Sequence, residues 1–117
     1  MTWEVVVLDY VADWIAGLPI GQREVVMEAL CRLSELGPTL GRPYVDHLKG
    51  SRLNNLKELR PRGTTLRLIF LFDSSRRAVI LAAGDKRNQW KSWYRKQIPI
   101  AEFKYREYMT RQDRGVV

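Results

Sequence analysis

Apolar residues in the first 40 positions follow the spacing of one strand and then of two helices. Residues 2–8, Thr-Trp-Glu-Val-Val-Val-Leu, are β-branched and aromatic, which predicts a strand. Residues 10–16 suit a short helix. From residue 20 to 36 a helical stripe is expected to face the core, and it consists of Val26, Ala29, Leu30 and Leu33. Gly37 and Pro38 should end this second helix.

The second half of the chain changes from a loop to strands and then back to helices. Residues 38–55 are rich in Gly, Pro and Asn and predict a long loop. Three strands should follow, over residues 56–60, 65–72 and 77–83, with a hairpin between the last two. Gly84, Asp85 and Lys86 should leave the sheet. A short helix is expected next, broken at Pro99, and then a last helix.

The element order β-α-α-β-β-β-α-α predicts an α+β domain, with helices on one side of a mostly antiparallel sheet. A length of 117 residues, 45% of them hydrophobic, fits one folded domain over residues 1–117. Residues 111–117 are polar and contain Gly, so they are expected to form a flexible tail.

The rare residue types limit the possible chemistry. Cys31 and His47 are the single cysteine and the single histidine, so an intrachain disulfide is excluded and a Cys/His zinc site is nearly so. We expect no metal and no cofactor. The longest apolar runs, residues 68–72 and 78–83, are too short to cross a membrane, and no signal peptide is visible. A cytoplasmic protein without membrane contact is expected.

The charge is distributed unevenly around a formal net value of +7. Residues 1–40 carry two basic and six acidic residues, a balance of −4. Residues 41–117 carry 18 basic and seven acidic residues, a balance of +11. A basic region of this size favours a polyanionic partner such as nucleic acid. A solvated basic surface or a site for an acidic protein would leave the same composition.

Two of the predicted strands carry charged residues that permit opposite interpretations. Arg67 interrupts an apolar strand, so it either covers apolar surface with its stem or faces a cleft. Glu58 and Arg60 share one face of their strand by alternation, while Lys57 points the other way. These residues could form a surface ion pair of little energetic value. They could also bind a phosphate, with Glu58 as a base or as a group that orients Arg67.

Several segments carry a resemblance to a known family in their order and spacing. They are Asp46-His47-Leu48-Lys49-Gly50, Leu56-Lys57-Glu58-Leu59-Arg60, Leu66-Arg67-Leu68-Ile69-Phe70, Gly84-Asp85-Lys86, Gln89-Trp90-Lys91-Ser92-Trp93-Tyr94 and Ile98-Pro99-Ile100-Ala101. Together they resemble the HigB toxins of the RelE/ParE superfamily, and most closely the phage-derived branch. The resemblance covers roughly residues 3–110.

The resemblance implies a RelE-like fold and a toxin of a type II toxin-antitoxin system. Such toxins cleave mRNA without a metal, usually on the translating ribosome, through attack of the RNA 2′-hydroxyl on the adjacent phosphate. The implied partners are mRNA, the ribosome and a HigA-like helix-turn-helix antitoxin, with which a heterotetramer can form. Two alternatives stay open, namely a ParE-like inhibitor of DNA gyrase and a basic module that binds nucleic acid without cutting it.

The resemblance also directs attention to particular side chains. The catalytic candidates are Arg67, Glu58, Arg60, Lys86 and Tyr94. The candidates for RNA binding are Lys49, Arg52, Lys57 and Arg87. His47 is an alternative base because its ordinary pKa is near neutral. Tyr94 shares a helical stripe with Trp90 and Trp93, and such a stripe more often packs in a core than forms a site.

Overall fold

The computed structural model describes residues 2–115, with side chains described through residue 111. In chain order the elements are β1 (Glu4–Val7), α1 (Asp9–Ala16), α2 (Ile20–Leu36), a 3₁₀ turn (Gly37–Thr39), β2 (Val45–His47), β3 (Lys57–Leu59), β4 (Leu66–Phe72), β5 (Arg77–Asp85) and α3 (Trp90–Gly115). The backbone of the predicted tail continues α3 as far as Gly115. Residues 116–117 of that tail lie outside the described residues.

The strands of the described chain form one five-stranded sheet in the order β1-β5-β4-β3-β2. β1 runs parallel to β5, and every other neighbouring pair is antiparallel. The expected α+β architecture with a mostly antiparallel sheet is therefore confirmed. The predicted α2 is also confirmed, and the four residues of its stripe are all buried: Val26, Ala29, Leu30 and Leu33.

Helices cover both faces of the sheet, whereas the element order predicted helices on one side. On one face Phe72 contacts Trp3, whose backbone is hydrogen-bonded to Ser34 of α2. On the opposite face the Arg77 guanidinium lies 5.7 Å from the ring centre of Tyr108 in α3. The reason is the composition of the central strands, which are buried at consecutive positions and therefore have two apolar faces.

Two strand boundaries differ from the prediction. β2 lies inside the segment expected to be a loop, and Asp46 pairs there with Glu58 of β3. β2 is only three residues long and lies at the edge of the sheet, so its sequence shows little of the alternation that predicts a strand. Its extended conformation depends on pairing with β3. β5 continues to Asp85 instead of ending at residue 83, because Leu66 of β4 still pairs with Asp85.

The predicted helix break at Pro99 is wrong, since α3 continues through this residue. Proline in a helix interior removes a backbone hydrogen bond and costs about 3 kcal/mol. Burial of apolar side chains on the same helix offsets that cost. Those side chains are Trp93, Ile98, Ala101 and Tyr108, which all lie in the core.

We expect Gly84→Ala to destabilise the protein by about 1–3 kcal/mol, as overpacking usually does. A Cβ atom at Gly84 would lie 2.8 Å from Nε1 of Trp93, so α3 would have to shift on the sheet. Urea denaturation measures the loss. Gly21→Ala is the matched control, because nothing lies within 4 Å of a Cβ there and alanine favours the helix. Equal effects of the two substitutions would contradict this account of Gly84.

Candidate active site

The face of the sheet that carries α3 also carries the charged residues singled out above. Glu58 pairs with Ile69 in β4, and Arg67 stands two positions before Ile69, so alternation puts both residues on one face. Tyr94 of α3 contacts Glu58, which identifies that face as the one under the helix. Lys57 points to the opposite face, where its ammonium lies 5.3 Å from the ring centre of Phe72.

Glu58 is a buried carboxylate with both oxygens engaged. Its side chain is 2% exposed. One oxygen, Oε1, accepts from Nη2 of Arg60 at 2.7 Å, and the other, Oε2, accepts from the Tyr94 hydroxyl at 2.6 Å. Arg60 also lies 3.4 Å from Oδ2 of Asp46 on β2. Charge pairing and hydrogen bonding together make burial of this carboxylate tolerable.

Lys86 is the second buried charged residue, with 4% of its surface exposed. Its Nζ donates to the Tyr94 hydroxyl at 3.2 Å. The same atom lies 3.9 Å from the ring centre of Trp90, a favourable distance for a cation–π contact. Tyr94 therefore joins Lys86 to Glu58 through one hydroxyl group.

Arg67 completes the group. Its Nη1 donates to the backbone carbonyls of Thr64 at 3.1 Å and Leu66 at 2.7 Å. Its Nε is buried and has no hydrogen-bond partner among the described residues. The structure thus brings together the five predicted catalytic residues, which we call the polar cluster: Glu58, Arg60, Arg67, Lys86 and Tyr94.

Lys86 and Tyr94 are two cluster members whose pKa values depart from the ordinary ones. Burial lowers the pKa of the Lys86 ammonium, and the nearby Arg67 guanidinium lowers this pKa further. Burial also raises the pKa of the Tyr94 phenol, and its hydrogen bond to Glu58 adds to the rise. Shifted pKa values of this kind occur at functional sites and also in structural ion-pair networks.

The lowered pKa of Lys86 predicts how stability depends on pH. Between this folded-state pKa and the ordinary value of 10.5, the unfolded chain binds more protons, so the free energy of unfolding rises with pH. Above about pH 10, Tyr94 acts in the opposite direction, because its pKa is raised in the folded state. Urea titrations at several pH values up to 10 should show the rise. Lys86→Met should abolish it, and an unchanged slope in that variant would contradict the assignment.

The predicted RNA-binding residues occupy different places. Lys49 and Arg52 line a cleft of about 660 Å³ that Tyr94 also lines, so they adjoin the polar cluster. Arg87 is exposed and directly follows Lys86. Lys57 lies on the opposite face of the sheet, away from the cluster, because strand alternation turns it from Glu58. The structure therefore separates Lys57 from the other candidates.

His47 is not in a position to act as the base of this cluster. It pairs with Lys57 between β2 and β3, and it therefore shares the face of Lys57 rather than that of Glu58. Its backbone N–H donates to Oδ1 of Asp46, which lies on the cluster side. The open alternative of His47 as a general base is thus contradicted by the sheet register.

Three residues near the cluster were missed by sequence reasoning. Trp90 was assigned to a core stripe but is 60% exposed, whereas Trp93 of the same stripe is buried. Arg95 lines the cleft beside Lys49 and Arg52. Glu102 fixes the wall of this cleft, because its Oε2 accepts from Ser51 Oγ at 2.8 Å and from the Arg52 N–H at 2.7 Å. Glu102 lies about 50 residues after Ser51 and Arg52 in the sequence, so no local sequence pattern predicts this contact.

The described side chains form no recognisable metal site. Within residues 2–111 there is no group of three or more His, Cys, Asp or Glu side chains that could hold a metal ion. No helix among these residues has the length and apolar character needed to cross a bilayer.

Comparison with protein families gives a match over most of the chain. The family described as "Phage derived protein Gp49-like (DUF891)" matches residues 13–106. The Mycobacterium tuberculosis protein that carries the name toxin HigB3 is 40% identical over 111 residues, which are 95% of this chain and 97% of that protein. The protein named toxin HigB2 from the same organism is 39% identical over 87% of this chain, but only 52% of its own length is matched.

Solved structures of RelE toxins share the fold. RelE in the archaeal RelE–RelB complex of Pyrococcus horikoshii superposes with a TM-score of 0.60 at 22% identity, over 74% of this chain and 97% of that one. The isolated Escherichia coli RelE toxin superposes with a TM-score of 0.59 at 16% identity, over 82% of this chain and 98% of that one. The expected RelE-like fold is confirmed by these superpositions. This chain therefore has the fold of RelE, and the family match and the identity to HigB3 establish that it belongs to the Gp49-like family of phage-derived proteins, together with the HigB-like proteins.

Proposed function

We propose that the toxic activity is metal-independent cleavage of mRNA, carried out on the ribosome by the polar cluster. The observation that carries this proposal is the convergence of Arg60, Arg67 and Lys86 around one buried carboxylate, Glu58. Cations in a partly dry site stabilise the charge that builds on a phosphate during its cleavage. A gyrase inhibitor of the ParE type would not need such a cationic cluster.

In the proposed reaction the 2′-oxygen of the RNA attacks the adjacent phosphorus. A new P–O bond forms, the bond to the 5′-oxygen of the next nucleotide breaks, and a cyclic phosphate remains. Arg67 lines one cleft together with Arg60, and its Nη1 is held by two backbone carbonyls, so its guanidinium is oriented for a phosphate oxygen in that cleft. Arg60 is 34% exposed and can supply a second guanidinium.

Proton transfer is assigned to Lys86 and Tyr94. Burial lowers the pKa of Lys86, which helps its amine to exchange a proton near neutral pH. The amine of Lys86 takes the proton that the 2′-hydroxyl loses. The Tyr94 hydroxyl, 3.2 Å from Nζ, gives its proton to the leaving 5′-oxygen and is reprotonated by the Lys86 ammonium. Both oxygens of Glu58 already accept hydrogen bonds, from Arg60 and from Tyr94. We therefore assign Glu58 to the positioning of Arg60 and Tyr94, not to direct contact with RNA.

An antitoxin is the second part of the proposal. The related RelE proteins of Pyrococcus horikoshii and Mycobacterium tuberculosis were solved as toxin–antitoxin complexes. We propose a HigA-like helix-turn-helix partner for this chain, bound in a complex that can reach a heterotetramer. The balance of +11 over residues 41–117 favours an acidic segment on that partner. The toxin would act in the cytoplasm, where translating ribosomes are found.

The proposal is tested by brief expression of the chain in a bacterial host, followed by mapping of transcript 5′ ends. New ends inside translated reading frames, produced within minutes, are expected. In a translation extract, the purified protein should cut mRNA and leave a cyclic or 3′-phosphate at the new end. Growth arrest with intact transcripts and inhibited DNA supercoiling would instead identify a gyrase inhibitor. Salt-sensitive RNA binding without cleavage would identify a module that only binds nucleic acid.

A further inference from the structure

Trp90 is an exposed aromatic side chain at the edge of the polar cluster. It is 60% exposed, the second-largest exposed fraction among the large apolar side chains that the structure describes at the surface. An indole ring offers a large flat apolar surface on which another flat ring can stack. Trp93, three positions later on the same helix, is 4% exposed and packs against Gly84. The sequence stripe alone does not distinguish these two side chains.

The position of the Trp90 ring is fixed on one side only. The ammonium of Lys86 lies 3.9 Å from the ring centre, and Lys86 is bound in turn to Tyr94. Lys86 itself is almost fully buried, so one side of the ring covers it. The exposed area of Trp90 therefore belongs to the rest of the ring, which offers a flat apolar surface directly beside the cluster.

We propose that Trp90 forms a stacking subsite for one nucleobase of the substrate RNA, next to the phosphate that is cleaved. This inference rests on the nuclease function proposed above and adds a subsite to it. Nucleobases stack on exposed aromatic side chains, and the cation behind the ring favours the electron-rich face of a base. The subsite would hold the RNA so that the phosphate to be cleaved lies against Arg67 and Lys86.

An abasic scan tests the subsite. Programmed ribosomes carry an mRNA series in which one abasic nucleotide is moved through the codon that is cut. For the wild type, one position is expected to raise KM about tenfold, the usual scale of one stacked base. Trp90→Ala should raise KM about tenfold on intact mRNA and lose the response to the abasic nucleotide at that same position. Trp90→Phe, which keeps a ring, should restore most of both effects.

The scan separates stacking from a merely structural role. If Trp90 only shields Lys86, Trp90→Ala would shift the pH profile equally for every mRNA of the series, and the position-dependent response would remain. That result would overturn the subsite. Trp14→Phe on α1 is the matched control and should leave all responses unchanged.

A direct binding measurement distinguishes failure of the subsite from failure of the nuclease proposal. Tryptophan fluorescence is titrated with a short RNA whose 2′-hydroxyls are methylated, so that it cannot be cut. Quenching in the wild type and in Trp14→Phe, but not in Trp90→Phe, is expected. If ribosome-bound mRNA stays intact yet this pattern appears, the nuclease proposal fails and the base-binding subsite stands. If mRNA is cleaved but Trp90→Ala behaves as wild type in both assays, the subsite is rejected alone.

Discussion

Arg67→Ala should lower the rate constant of RNA cleavage by about 10²–10³, the usual loss when one preorganised transition-state donor is removed. The guanidinium is held by two backbone carbonyls, of Thr64 and Leu66, and so pays little ordering cost during the reaction. The side chain also lines a cleft beside Arg60, where a phosphate could reach both guanidinium groups. If the proposed chemistry is correct, Arg67 is already oriented before RNA binds.

Single-turnover cleavage on programmed ribosomes measures this loss, and growth after induction reports it in cells. Arg67→Lys should recover only part of the rate, because an ammonium cannot make the fork-shaped contact of a guanidinium. Arg23→Ala is the control, since this exposed arginine belongs to α2 and binds the Leu18 carbonyl. Full cleavage by Arg67→Ala would remove Arg67 from the reaction, whatever the other cluster residues do.

Local patterns were sufficient for much of the fold and for the site on β3 and β4. Strand alternation put Glu58 and Arg60 together and Lys57 on the other side. The ion pair between Arg60 and Glu58 and the contact of Lys57 with Phe72 agree with this. The helical stripe of α2 likewise identified core residues correctly. In each case the informative residues lie within one element, so the period of that element decides where the side chains go.

The differences arise where distant segments decide the structure. β2 exists because its three residues pair with β3, and α3 passes Pro99 because its apolar side chains pack on the sheet. Trp90 and Trp93 share a helical stripe, yet only Trp93 meets the sheet. Glu102 fixes the loop of Ser51 from about 50 residues away. No window of neighbouring residues contains this information, because tertiary packing overrides local propensity.

The polar cluster carries more positive than negative charge, which has a consequence for stability. Glu58 pairs with Arg60 and lies close enough to Lys86 to favour its ammonium. Arg60 and Arg67 both disfavour that ammonium. Like charges in a partly dry site repel one another, and the proposed function explains why this repulsion is kept, since the site would receive a phosphate. Glu58 should therefore contribute more to stability than a carboxylate on the surface does.

Glu58→Ala should lower the free energy of unfolding by about 3 kcal/mol, because it removes the carboxylate beside the buried Lys86 ammonium and the closer of the two carboxylates that pair with Arg60. The loss falls at the low end of the usual range, since Arg60 is 34% exposed and water can partly solvate its charge. Urea denaturation measures this loss. The control is Glu107→Ala, which removes a 46% exposed carboxylate paired with Lys104 and should cost below about 1 kcal/mol.

Lys86→Met tests whether the loss of stability in Glu58→Ala is caused by unbalanced charge. In the wild type this substitution removes a cation whose pKa burial lowers, so it should raise stability while it abolishes cleavage. In the Glu58→Ala background the gain should be larger by about 1 kcal/mol, because the attraction of Glu58 no longer favours the ammonium. Urea denaturation of the four proteins gives this coupling directly. Equal gains in the two backgrounds would mean that Glu58 stabilises the fold by packing and hydrogen bonding alone, without balancing the charge of Lys86.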